Sequence, residues 1–108
     1  MAYDEGLAEL LRADLADLPV TERKMCGGLC FMFDGNMLCG THKYGAMFRV
    51  GKDSYEAALA LPGVGPMAFT GRPMAGMVDV SDDGIADDAV RAKLLALALA
   101  FVKSLPAK

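Results

Sequence analysis

The sequence has no tryptophan and a single histidine, His42. A catalytic nucleophile would therefore have one candidate imidazole base, and His42 falls in a predicted turn, where solvent exposure is expected. There is no G-x-S-x-G elbow, no Walker A or dinucleotide fingerprint and no EF-hand loop. Cysteine is sparse: Cys26, Cys30 and Cys39. An odd number of thiols behind an acidic start, Tyr3-Asp4-Glu5, that lacks a basic and apolar leader argues against a disulfide framework and for a reducing, cytoplasmic setting. Long apolar runs are missing too. The longest, Leu94 to Val102, is far short of the roughly 20 residues of a membrane span, so no membrane association is expected. A basic domain is likewise absent, because the net charge is −3. Direct nucleic-acid binding is therefore not expected.

What remains is a composition of the globular kind, with 54 % hydrophobic and 23 % charged residues in 108. That length suits one domain over residues 1–108. Eight methionines point to a core filled in part by Met. Charge is uneven along the chain: residues 1–22 carry −5, residues 23–72 carry +3 and residues 73–108 carry −1. A modest positive field over the middle of an acidic chain could attract an acidic partner.

Asp4 is placed to cap a first helix reaching about Leu18, with Leu7, Leu10, Leu11, Leu15 and Leu18 on one stripe and Pro19 as its stop. Asp14 projects onto that stripe, either as an edge carboxylate in solvent or paired with a base, or as a buried functional acid. Strands follow near Glu22–Cys26, Leu29–Phe33, Met37–Thr41 and Ala46–Val50. Asp34-Gly35-Asn36 signals a tight hairpin. Asp53 and Glu56 have the spacing of a capping box for a short second helix. Pro62 to Pro66 reads as a rigid connector, then strands at Met67–Thr70 and Met74–Val80, a polar turn at Ser81–Gly84 and a last helix from Asp87 or Asp88 to about Ser104. The expected fold class is α+β, a mostly antiparallel sheet with helices at both ends and one short middle helix, in the order α-β-β-β-β-α-β-β-α.

Three groups of residues could carry chemistry. Cys26, Cys30, Cys39 and His42 are competent zinc ligands. Their spacing is unlike common zinc modules and their neighbours read as core, so neither a metal nor a cofactor is expected. Cys30 and Cys39 lie diagonally in the expected hairpin, too far apart for an unstrained disulfide. Arg49, beside Lys52, and Arg72 could form an anion or carboxylate clamp if the strands bring them together, or could pair ordinarily with Glu56, Asp53 or Asp79. Finally, Leu95, Leu99 and Val102 broaden the apolar stripe of the last helix beyond the ~100° of an ordinary surface helix. Either two elements of the fold cover that arc, or a partner does, a second copy included.

Several segments, taken together, resemble the N-terminal domain of the TfoX/Sxy competence regulators. They are Met1-Ala2-Tyr3-Asp4-Glu5-Gly6-Leu7, Lys24-Met25-Cys26-Gly27-Gly28-Leu29, Gly35-Asn36-Met37-Leu38-Cys39-Gly40, Arg49-Val50-Gly51 and the block Pro66 to Gly76. Cys26 stands where phenylalanine is usual. The resemblance spans nearly the whole chain. It implies a secretion-chaperone-like α+β fold and a regulatory, non-enzymatic role linked to bacterial competence genes, exerted through protein contact. It carries over no catalytic residue. The second, helical domain of longer members is not expected after Lys108.

Overall fold

The computed structural model describes residues 5–25, 28–43, 45–68 and 73–108. The expectations for Asp4, Cys26 and Arg72 lie outside the described residues. Helix α1 (Glu5–Asp14) leads to four strands, β1 (Val20–Met25), β2 (Gly28–Phe33), β3 (Asn36–His42) and β4 (Gly45–Arg49). A short helix α2 (Tyr55–Leu59) is followed by β5 (Val64–Ala68) and β6 (Pro73–Val80), then by α3 (Asp82–Ile85) and α4 (Asp88–Lys103). The strands form one six-stranded sheet in the order β1-β2-β3-β4-β6-β5, with every pair antiparallel. This is the α+β class expected from the sequence. The first helix ends at Asp14 and not near Leu18, and two further segments differ from expectation. Val64–Ala68 is a strand rather than a connector, and it tolerates Pro66 because β5 is an edge strand, where a missing N–H has little consequence. Asp82–Ile85 forms a helical turn in place of a simple polar turn.

The β2–β3 hairpin turns on two residues, Asp34 (φ 53°) and Gly35 (φ 80°), with Phe33 opposite Asn36. Positive φ at both central residues is the geometry that matches strand twist in a two-residue hairpin, and Asp-Gly supplies it cheaply. A bulge follows, because Met32 pairs with Met37 and Phe31 with Cys39. Leu38 is thus the extra residue, and Cys30 and Cys39 fall on opposite faces of the sheet. The C-terminal tail is tied to the hairpin: the buried Asn36 donates from Nδ2 to the Pro106 carbonyl at 3.0 Å, and the Lys108 N–H donates to the Asp34 carbonyl at 2.8 Å.

One face of the sheet carries the main core. Leu7, Leu11 and Leu15 from the first helix and its following turn, and Val90, Leu94, Ala98 and Val102 from α4, pack on Phe31, Phe48 and Val78. The opposite face holds a second cluster in which every described side chain contains sulfur: Cys30, Met32, Met47, Met67 and Met77 are buried, with Met37 half-buried against them. Flexible thioethers fill the irregular surface of a bulged sheet where branched side chains would leave gaps.

One polar network fastens the helical layer. The Arg91 side chain is only 7 % exposed. It donates to both oxygens of Asp14, to Asp88 Oδ1 at 2.8 Å and to the Ile85 carbonyl at 2.8 Å. The end of α1, the end of α3 and the start of α4 therefore converge on one guanidinium. Asp14 is thus the paired carboxylate among the alternatives considered above. Asp87 caps α4 by accepting from the Ala89 and Val90 amides.

Candidate functional site

A cleft lies where β4 ends. The Val50 and Gly51 amides both donate to the Gly76 carbonyl, at 2.9 and 3.1 Å, and hook the end of β4 to β6. Gly51 has φ +85°, and a Cβ there would stand 2.4 Å from Cδ1 of the Phe101 ring. Only glycine combines that backbone conformation with a ring packed so closely against it. The chain then turns through Lys52, Asp53 and Ser54 into α2. Ser54, not Asp53, holds the N-cap position, and its hydroxyl makes no capping bond. The expected Asp53–Glu56 capping box is therefore not formed: the Ala58 amide bonds the Ser54 carbonyl, which sets the helix one residue further on.

Between this turn and the last turn of α4 is a cavity of about 510 Å³, lined by Arg49, Lys52, Asp53, Ser54, Phe101 and Ser104 among others. That volume is within the roughly 300–1,000 Å³ of small-molecule sites. The Arg49 guanidinium carbon sits 5.5 Å from the centroid of the Phe101 ring, a cation–π contact. Arg49 is half-buried, yet no described carboxylate lies within ion-pair distance of it. None of the acids considered for it serves: Asp53 and Glu56 are exposed and unpaired with it, and Asp79 binds His42. A second, smaller hollow of about 280 Å³ at Arg12, Leu15 and Glu22 differs in this respect, because Arg12 is engaged by Glu5, Glu9 and Glu22.

The other candidates fall elsewhere. Arg72 lies outside the described residues, so of the two-arginine clamp only Arg49 is placed. Val102 is 1 % exposed and belongs to the main core, which corrects its assignment to an association surface. Leu95 and Leu99 are half-buried and pack against that core. The broad apolar arc of α4 is met by two parts of the fold, the β3–β4 region of the sheet and α3. His42 is not a solvated turn residue. It closes β3, and its Nε2 lies 2.6 Å from Asp79 Oδ1 with the imidazole 16 % exposed. Cys30 and Cys39 lie on opposite faces of the sheet, so these two candidate zinc ligands are not brought together, and Cys26 lies outside the described residues. The Cys39 thiol is driven well above its ordinary pKa, chiefly by burial and then by Cys30 and Asp14, which marks it as a core group.

Phe101 and Lys52 complete the cleft. Phe101 reads in the sequence as one more member of an apolar stripe, and the only hint of its role is the glycine needed to receive its ring. Among the described residues no helix is long and apolar enough to cross a membrane. No curated protein and no solved structure matches the chain significantly. A family model does: the TfoX N-terminal domain matches residues 11–102, from α1 to the end of the core stripe of α4. The chain belongs to the TfoX N-terminal domain family.

Proposed function

We propose that this chain is a cytoplasmic, non-enzymatic regulatory domain that works by contact with a protein partner, and that the partner is held at the Arg49 cleft. The observation that carries the reading is Arg49 itself: a half-buried cation fixed against Phe101 with no carboxylate partner among the described residues. Fully buried charges are ordinarily paired because removing them from water is costly, whereas a half-buried arginine can keep its head group toward solvent and within reach of a ligand. One left uncommitted at the wall of a cavity is suited to a ligand from outside. Family membership supports a role in regulation of competence genes, and the burial of Cys39 supports contact rather than thiol chemistry. The C-terminal helix remains the interaction element, through Phe101 rather than through Leu95, Leu99 and Val102.

The test is affinity capture from the native host with the wild-type chain, Arg49→Gln and the surface control Arg23→Gln, which lies on the exposed edge strand β1. A protein retained by wild type and Arg23→Gln and lost with Arg49→Gln supports the reading. Capture indifferent to Arg49 refutes it. A free small anion in the same cleft is the second reading, favoured by the cavity's volume.

A further inference from the structure

We infer that the Arg49 cleft is a carboxylate site, shaped for one carboxylate carried on a flat apolar body, such as an aromatic acid or the C-terminal residue of a peptide. The inference rests on the reading of this cleft as the binding face and names the chemistry it recognises.

A guanidinium lying over an aromatic ring keeps its edge N–H groups free. Their fork matches the two oxygens of a carboxylate, which it bonds side by side. The cleft walls are mixed in the way such a ligand needs. Phe101 and Ala100 contribute apolar surface, and Ser54, whose hydroxyl caps nothing, is among the lining residues. Charge selects the class of anion. The lining side chains include two cations, Arg49 and Lys52, and one carboxylate, Asp53. The surplus is a single positive charge, which matches a monoanion. A polyphosphate or a nucleotide would bring several negative charges to one surplus cation and would meet Asp53 as well.

The floor is set before any ligand arrives. Gly51 and Gly76 are locked by the paired bonds to the Gly76 carbonyl, and Phe101 is seated on Gly51. A preformed floor lowers the ordering cost of binding.

The experiment is a titration of the ¹⁵N-labelled full chain, followed by NMR, with N-acetylphenylalanine, its neutral amide, inorganic phosphate, and a peptide ending in phenylalanine with a free or an amidated C-terminus. The expected result is saturable shifts at the Val50–Ser54 amides and the Arg49 side chain with the acid forms only. Arg49→Gln should weaken binding about tenfold or more, the loss expected for a charge-assisted hydrogen bond. Arg23→Gln should leave it unchanged. Lys52, exposed, gives a second variant that does not threaten the fold: Lys52→Gln should weaken binding about threefold, as for a surface charge. If the free-acid peptide binds better than N-acetylphenylalanine, the natural source is a chain terminus, and if the order is reversed it is a small acid. Both outcomes support the site. Equal binding of acid and amide, preference for phosphate, or no saturable shift overturns it. If every probe fails while partner capture still depends on Arg49, the carboxylate assignment falls and the contact reading stands. If carboxylates bind while capture ignores Arg49, the site stands and the contact reading falls.

Discussion

Replacing Arg91 with alanine removes a side chain that hydrogen-bonds groups of α1, α3 and α4 together. The guanidinium is 7 % exposed, while the carboxylates it holds are 26 % exposed at Asp14 and 89 % at Asp88. Breaking a buried ion pair costs about 3–5 kcal/mol, because the partner charge is left without compensation. Here Asp88 returns to water almost freely and Asp14 partly does, so the low end applies. The Ile85 carbonyl also loses its donor, and a lost hydrogen bond of this kind costs about 1 kcal/mol. The expected sum is about 4 kcal/mol, a fall in Tm of roughly 15–20 °C for a chain of this size. The two carboxylates supply the internal control. Asp14→Ala should cost about 2 kcal/mol, and Asp88→Ala less than about 1, as for a surface pair. With no tryptophan in the chain, urea unfolding followed by far-UV circular dichroism is the suitable assay. A loss below about 1 kcal/mol for Arg91→Ala, or an Asp88→Ala variant as weak as Asp14→Ala, would refute the reasoning.

Three further outcomes follow from local geometry. Thr41 Oγ1 is buried without a hydrogen-bond partner among the described residues, so Thr41→Val should raise stability by about 1 kcal/mol in the same urea assay. Gly51→Ala places a Cβ 2.4 Å from the Phe101 ring at φ +85°, and should cost about 2–4 kcal/mol while abolishing the shifts of the cleft amides on carboxylate titration. Hydrogen bonding to Arg12 lowers the Glu22 pKa. Its contribution to stability is therefore present above the unfolded carboxylate pKa and is lost as pH falls through the folded one. Thermal melts from pH 6 to pH 3 should show a shallower acid loss in Arg12→Gln than in wild type, and parallel curves would contradict this.

Short apolar runs separated by glycine and the Asp34-Gly35 turn made the central strands readable, because run length and local turn chemistry agree there. The bulge at Leu38 was not readable. Nothing local marks an extra residue in a continuous apolar strand, yet it decides that Cys30 and Cys39 face opposite ways. Pro62 to Pro66 hid the start of β5, since a proline is acceptable in a strand only when that strand is an edge, and edge position is a property of the whole sheet. Asp14 was visible as a charge on the stripe of the first helix, but its partner Arg91 was not singled out, because the last helix reads by its apolar residues and nothing local ties it to a residue 77 positions away. Of the candidate site, Arg49 was legible as a strand-end cation. Its want of a carboxylate partner was not, because sequence proximity favoured Asp53 and Glu56, and only the turn at Gly51 takes them away from it.

If partners meet this domain at the cleft between β4 and α4, a photocross-linker placed in the cleft captures them in the native host. A benzophenone residue is placed at Ser54, which lines the cleft, and separately at exposed Lys93 on α4, which is not among the cleft-lining residues. The expected result is a discrete adduct with a protein from position 54 that disappears with Arg49→Gln, and none from position 93. An adduct of equal yield from both positions, or one from position 54 that persists in Arg49→Gln, would contradict it.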